Sequence, residues 1–242
     1  MVRPMKNLIS LLVPPAKQRL NEKILSQIKR FIFSSKIKNG QKLPSERELS
    51  IQLKVSRVVV REALRSLEQS GFVEIKTGAT GGAFVTENLH LPLANCVFDL
   101  MANNKLTLSH FFEARKAIET LAVRLAAQKA TREDYEKLSQ INRKVLEGVQ
   151  HRTKFRELNR DFHVMIAEMS GNPLLKLIIE SVLELLMMLR IDFHQSERFI
   201  KNTYKRHDAL IKAMENGDVG LYEELIAFDT GFTEKLKIRK SY

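Results

Sequence analysis

The stretch from Gly40 to Val85, GQKLPSERELSIQLKVSRVVVREALRSLEQSGFVEIKTGATGGAFV, leaves a chain little freedom in how it folds. Ser45 followed three residues later by Glu48 is a capping box, in which the hydroxyl takes the Glu48 amide and the carboxylate reaches back to the Ser45 amide. A helix is expected from Glu46, with Leu49 and Leu53 facing inward. Leu53-Lys54-Val55-Ser56 breaks it into a turn, and Ser56 stands where it can cap a second helix beginning at Arg57. In that helix Val60, Ala63, Leu64 and Leu67 recur at i, i+3, i+4 and i+7, while Arg57, Arg61 and Arg65 recur every four residues on another face. Gly71 stops the helix, Phe72-Val73-Glu74-Ile75 alternates as a strand, and after the glycine-containing loop Thr77 to Gly82 the segment Ala83-Phe84-Val85 returns. An arginine ladder alone is ordinarily a solvated face. Cap, turn, ladder and hairpin together are the layout of a winged helix-turn-helix, which implies double-stranded DNA as the partner.

The charge distribution agrees. The 242 residues carry a net charge of +12, but residues 1–86 hold 16 Lys and Arg against 6 Asp and Glu, and the remainder 24 against 22. A surplus confined to the helix-turn-helix segment is what phosphate neutralisation needs; a membrane-surface protein would carry it on an amphipathic helix opposite large apolar residues. A hydrophobic content of 44% with no glycine- or proline-rich tract predicts a fully globular chain of two domains. The apolar run Leu8 to Val13 is broken by Ser10 and meets Pro14-Pro15 without a small-residue cleavage pattern, and no run reaches the roughly 18 apolar residues of a membrane span. A soluble, cytoplasmic protein is expected. The single cysteine, Cys96, excludes an internal disulfide and is expected to be buried among Leu93, Val97 and Leu100.

Residues 15 to 35 read as a first helix with Leu20, Ile24, Ile28 and Phe31 on its inner face. The polar Glu87-Asn88-Leu89-His90, followed by Leu91-Pro92, reads as a linker, since proline disfavours helix before it. The domains are therefore taken as 1–90 and 91–242. Beyond Leu93 the period is helical throughout, with caps or breakers at Lys129-Ala130-Thr131, Glu147-Gly148, Ser170-Gly171-Asn172-Pro173, Gln195-Ser196 and Asn216-Gly217-Asp218. The expected fold is mostly α: an N-terminal winged helix-turn-helix with a small β wing, then an all-α bundle of six or seven helices.

Polar residues on apolar faces mark the second domain. Phe155, Leu158, Phe162, Ile166 and Met169 form a buried stripe with Asn159 and His163 on or beside it at i and i+4. His207 belongs to a stripe with Tyr204, Ile211 and Met214, and Asp229 lies beside Leu225, Phe228 and Phe232. The turn at Gly217 lies ten residues after His207 and twelve before Asp229, so antiparallel helices bring the two to similar heights. Unpaired polar groups cost on the order of 1 to 3 kcal/mol each when buried, so the four must satisfy one another, water or a ligand. Imidazoles with a carboxylate suit zinc, nickel or manganese, although singly each histidine reads as a satisfied core residue. Arg115 reads either as a guanidinium fork for a carboxylate or as the i+4 partner of Glu119. Arg190, which interrupts the apolar run Leu183 to Ile191, and His194 one turn on are further effector candidates, though a helix end reaching solvent would also account for them.

The N-terminal motifs LPSEREL, VSR, VREALRSLE and GFV resemble the GntR transcription regulators. The segments FEARKAIETLAVRLAA, LNRDFHVMIAEMSGNP and RHDALIKAMENGD resemble the ligand-binding FCD domain of their FadR subfamily. By position, the first resemblance implies DNA contacts from Arg47, Ser56, Arg57 and Arg61, with Thr77 and Gly78 at the wing tip. Val58 and Val59 depart from the family's pattern, which removes a hydroxyl contact. The second implies an effector pocket lined by Arg115 and a metal set at Asn159, His163, His207 and Asp229, where Asn159 replaces an aspartate and Asp229 a histidine. The protein so implied is a homodimeric regulator, a repressor by preference, that binds a pseudo-palindromic operator and responds to a small carboxylate. The alternatives are a metal-dependent hydrolase with Glu168 near the ion, for which no general base sits at a motif spacing, and a DNA-binding protein without a ligand.

Overall fold

The computed structural model describes residues 16–34, 37–78, 80–149, 152–189 and 196–232. Contacts divide the chain into two compact units, 1–92 and 93–242.

In the first unit, α1 (Ala16–Ser34), α2 (Glu46–Leu53) and α3 (Arg57–Gln69) precede the antiparallel pair β1 (Val73–Lys76) and β2 (Gly82–Val85). The capping box forms as expected: the Glu48 amide donates to Ser45 Oγ at 3.3 Å, and the Ser45 amide donates to Glu48 Oε2 at 2.8 Å. Lys54 takes a left-handed conformation at the end of α2, and Ser56 Oγ accepts from the Val59 amide to start α3. Val60, Ala63, Leu64 and Leu67 are all buried, against Ile24, Ile28 and Ile32 of α1 and against Leu43, Leu49, Val73, Ala83 and Val85. The inner face of α1 differs from the expectation. Leu20 and Phe31 are exposed and Ile32 is buried, because the packed row steps by four from Ile24. Val73 pairs with Val85 and Lys76 with Gly82, while the amide of Leu43 donates to Ala83 O at 2.8 Å and extends the pairing past β2.

The second unit holds α4 (His90–Ala102) from Leu93 onward, then α5 (Leu108–Lys129), α6 (Arg132–Val145), a 3-10 turn (Leu146–Val149), α7 (Arg152–Met169), α8 (Pro173–Met188), α9 (Glu197–Glu215) and α10 (Val219–Phe232). The breakers at Lys129-Ala130-Thr131, Ser170-Gly171-Asn172-Pro173 and Asn216-Gly217-Asp218 fall at these ends, and Glu147-Gly148 falls inside the 3-10 turn. Asn172 caps α8 with Pro173 at its first position, and Ser196 caps α9, while Gln195 lies outside the described residues. The proposed linker is shorter than expected. The helix begins at His90, two residues before Pro92, since a proline in the first turn gives up no intrahelical hydrogen bond. Val123, Ala126, Tyr135, Leu138, Phe162, Ile166, Met169, Leu210, Met214, Tyr222 and Ile226 form one core cluster. A second joins Phe111, Phe112, Ile179, Leu183 and Leu185, with Val97, Phe98 and Met101 of α4 against it. Two expectations fail here. Cys96 is exposed, because α4 turns Val97 and Phe98 inward rather than Leu93 and Leu100. In α10, Tyr222 and Ile226 are buried, Leu225 is only partly covered and Phe228 is 55% exposed. None of the described helices is long and apolar enough to cross a membrane.

Gly71 ends α3 at φ 74°, and a Cβ there would lie 2.4 Å from the Asn88 carbonyl oxygen. Gly71→Ala combines a left-handed penalty with a backbone clash and is expected to destabilise the protein by more than about 1 kcal/mol, read as a lower urea midpoint with unchanged slope.

Candidate functional site

The exposed cationic face of the first unit follows from its caps. Because Ser56 starts α3, Arg57, Arg61 and Arg65 fall opposite the buried row, and the side chains of Arg57 and Arg61 are 61% and 49% exposed. Arg47, Ser56 and Val58 are exposed as well, with Ser56 Oγ already engaged in its cap. Thr77 and Gly78 lie exposed between β1 and β2. Lys42 crosses this hairpin: its ammonium donates to Thr80 O at 3.3 Å and lies 5.7 Å from the Phe84 ring centroid, with Lys76 5.2 Å from the same ring. Two N–H groups of Arg61 are taken by Glu46, at 2.8 Å from Nη2 and 3.0 Å from Nε.

In the second unit α5, α6, α7 and α9 bring polar groups together inside the bundle. Arg115 and Glu119, one turn apart on α5, are each 2% exposed, as is His163 of α7; His207 of α9 is 1% exposed. Arg115 Nε donates to Glu119 Oε1 at 2.5 Å, and His163 Nδ1 lies 2.8 Å from Glu119 Oε2. Burial alone would raise the Glu119 carboxyl, but the Arg115 guanidinium and then His163 outweigh it and hold the group well below the usual carboxylate range. His207 stacks face to face on Phe162 at 3.7 Å, and its Nδ1 lies 3.2 Å from Asn142 Oδ1. Asn142 Nδ2 donates to Tyr204 O at 3.1 Å, so the amide oxygen must face the histidine. Nδ1 of each imidazole is thus placed to donate, toward Glu119 and Asn142, and whenever the ring is neutral in that tautomer the lone pair is on Nε2. Both Nε2 atoms are buried, and the rings lie 5.5 Å apart between centroids.

This arrangement unites some of the expected residues and not others. Arg115, His163 and His207 share the cluster, and Asn159 is half-buried one turn before His163. Asp229 lies in α10 with its side chain outside the described residues, and Arg190 and His194 are outside them altogether. Arg115 is held by Glu119, the ion pair that the spacing allowed. Glu119 as the centre of the cluster and Asn142 as the partner of His207 were not anticipated. The signal for Asn142 was a polar residue continuing the buried row Tyr135, Leu138 and Val145; that for Glu119 was a second charge on the buried side of α5. The imidazoles suit a borderline divalent ion, each with an oxygen behind Nδ1 to fix its tautomer. Among the described residues no three His, Cys, Asp or Glu side chains converge as a metal set. The gap lined by Glu119, Ala122, His163, Ile166, Ile179 and Ile226 is too narrow for a water molecule.

Comparison with known proteins bears on both units. Residues 20–85 match the bacterial regulatory proteins of the gntR family, and residues 110–227 match the FCD domain. The HTH-type transcriptional repressor NanR of Enterobacter sp. (strain 638) is 30% identical over 214 residues, covering 85% of this chain and 80% of that protein. The uncharacterized HTH-type transcriptional regulator YcbG of Bacillus subtilis (strain 168) is 30% identical over 200 residues, covering 81% and 82%. The solved structure of Streptococcus agalactiae GntR superposes with a TM-score of 0.68 at 22% identity, over 87% of this chain and 97% of that one. These families and relatives are regulators and not enzymes, which removes the hydrolase alternative. With a winged helix-turn-helix carrying an exposed arginine ladder, joined to a helical FCD domain, the chain belongs to the GntR family of DNA-binding transcription regulators.

Proposed function

We propose that this regulator represses transcription as a homodimer on a pseudo-palindromic operator, and that a small carboxylate effector in the FCD domain sets its operator affinity. The observation that carries the reading is the buried Arg115–Glu119–His163 cluster: a guanidinium is enclosed in the bundle against a carboxylate, where a ligand carboxylate can exchange for the one that now holds it. Repression is favoured by the name of the NanR relatives, and a two-fold dimer by the palindromic geometry that helix-turn-helix proteins use. Residues 1–90 are assigned to DNA and 91–242 to effector binding and dimerisation.

Arg47, Ser56, Arg57 and Arg61, with Thr77 and Gly78 of the wing, are assigned to the operator. Arg57→Ala and Arg61→Ala are each expected to cost about 1 to 3 kcal/mol of operator binding and to relax preference at one position. Lys29→Ala, whose ammonium lies 4.4 Å over the Phe72 ring, serves as the control. Footprints unchanged in both arginine variants would remove the recognition-helix assignment.

We assign the metal position to Nε2 of His163 and His207, supported by their burial and Nδ1 partners, with Asn159 and Asp229 completing the set. A divalent ion there supplies a Lewis-acid centre for a carboxylate. Protein purified without chelator or affinity-tag metal is expected to hold near-stoichiometric zinc, nickel or manganese by elemental analysis, lost in His163→Ala and His207→Ala. Negligible metal, with no thermal shift on adding any of the three, leaves a metal-free polar pocket.

The Glu119 carboxyl is depressed to about 2 in the folded state, so its contribution to stability is complete above a pH of about 4.5 and is lost progressively as the pH falls from there to about 2. Glu119→Gln is expected to flatten that part of the acid-denaturation profile. A profile as steep as the wild type's would place the acid sensitivity elsewhere.

A further inference from the structure

Glu46 stands at the first position of α2 and faces α3, in a unit where carboxylates are few. Its Oε2 accepts from Arg61 Nη2 at 2.8 Å and its Oε1 from Arg61 Nε at 3.0 Å, so one edge of the guanidinium is gripped bidentately. The same Oε2 lies 3.9 Å from Arg57 Nη2. Glu46 is itself partly exposed, at 29% of its side chain. Its carboxyl is lowered, first by the hydrogen bond from Arg61 and then by the charges of Arg61, Arg57 and Arg65. An exposed ion pair of this kind contributes little to stability. A negative charge on a surface that approaches phosphates also opposes DNA binding in general. Neither consideration gives it a role, but the geometry does. Arginine has five N–H donors in a rigid fork, and a carboxylate on the Nε and Nη2 edge leaves the terminal Nη1 and Nη2 donors as the pair that can reach DNA.

We propose that Glu46 is a specificity-determining positioning residue, which fixes the direction of the Arg61 fork, biases Arg57, and withholds both arginines from promiscuous phosphate contacts. The proposal rests on the assignment of α3 to the operator. It acts in opposite senses on the two kinds of binding. With Glu46 present, sequence-independent affinity is reduced by one negative charge and by the tethering of Arg61. Operator binding keeps its geometry, because the fork is already oriented when it meets its acceptor. Without Glu46, Arg61 samples many rotamers and pairs with whichever phosphate is near.

The experiment uses a duplex selected from a random-sequence pool by the wild-type protein, and a scrambled duplex of equal length. Binding is measured by fluorescence anisotropy over a range of salt concentrations. Glu46→Ala keeps Ser45 and Glu48 and hence the cap of α2, and thermal melting checks that its fold is retained. It is expected to bind the scrambled duplex more tightly, to steepen its salt dependence by about one unit of slope, and to lower the ratio of selected to scrambled affinity by about tenfold. Glu46→Gln, which retains one acceptor, should fall between. The Glu46→Ala/Arg61→Ala double variant should lie close to Arg61→Ala alone, with only a small further fall in the ratio from the release of Arg57, since Glu46 acts mainly through Arg61. A change in melting temperature with ratio and slope unchanged would make Glu46 a structural staple and overturn the proposal. So would equal losses on both duplexes. If Arg61→Ala also leaves the ratio unchanged, the operator assignment of α3 fails instead.

Discussion

A carboxylate buried in the middle of a helical bundle is the interaction on which the FCD domain depends. Glu119 is almost without solvent, and an isolated ionised carboxylate in such a place would cost several kcal/mol. It is tolerated because Arg115 approaches from its own helix and His163 from α7, and the two together outweigh the loss of water. The requirement propagates. His163 lies edge-on to Phe162, Phe162 stacks on His207, His207 is met by Asn142, and Asn142 is fixed by a carbonyl of α9. Side chains from four helices thus satisfy one another in one arrangement, and a shift of any helix would leave a buried polar group short.

Such a cluster is suited to sensing, because a new group cannot simply be added to it. The space beside Glu119 and His163 does not admit water. Under the proposed function, a ligand carboxylate exchanges partners with Glu119, and that exchange would alter what holds α5 against α7. On that proposal the energy of an effector would go into rearranging the contacts between helices, which is the differential interaction that population shift requires. Coupling of about 1 to 3 kcal/mol, typical of such linkage, corresponds to a change in operator affinity of roughly 5- to 150-fold.

The DNA-binding unit divides its labour differently. Its stability resides in an apolar cluster of Ile24, Ile28, Val60, Leu64 and Leu67, while its charged residues stand on the outside and contribute little to it. The arginine ladder is therefore not needed to hold the fold, and under the proposed function it serves recognition. Its order in the unbound protein depends on single contacts such as that of Glu46 with Arg61, or of Lys42 with the wing.

What the amino-acid order alone determined is what local interactions determine. Ser45 with Glu48, Ser56, Asn172-Pro173, Ser196 and Gly71 act on amides and carbonyls within four residues of themselves. Element ends, the helix-turn-helix, the wing and the all-helical second domain were therefore legible without a partner in view. The inner row of α3 was legible for the same reason, its period being unambiguous. What only the tertiary structure decided depends on which neighbour a side chain meets. Ile32 and not Phe31 is buried, Cys96 is exposed on α4, Tyr222 and Ile226 rather than Phe228 face the core, and Glu119 serves both Arg115 and His163. A helical period fixes an apolar face to within one residue either side. The approach of another helix selects among those residues, and only that approach sets a charge on α5 beside an imidazole on α7, 44 positions away in the chain.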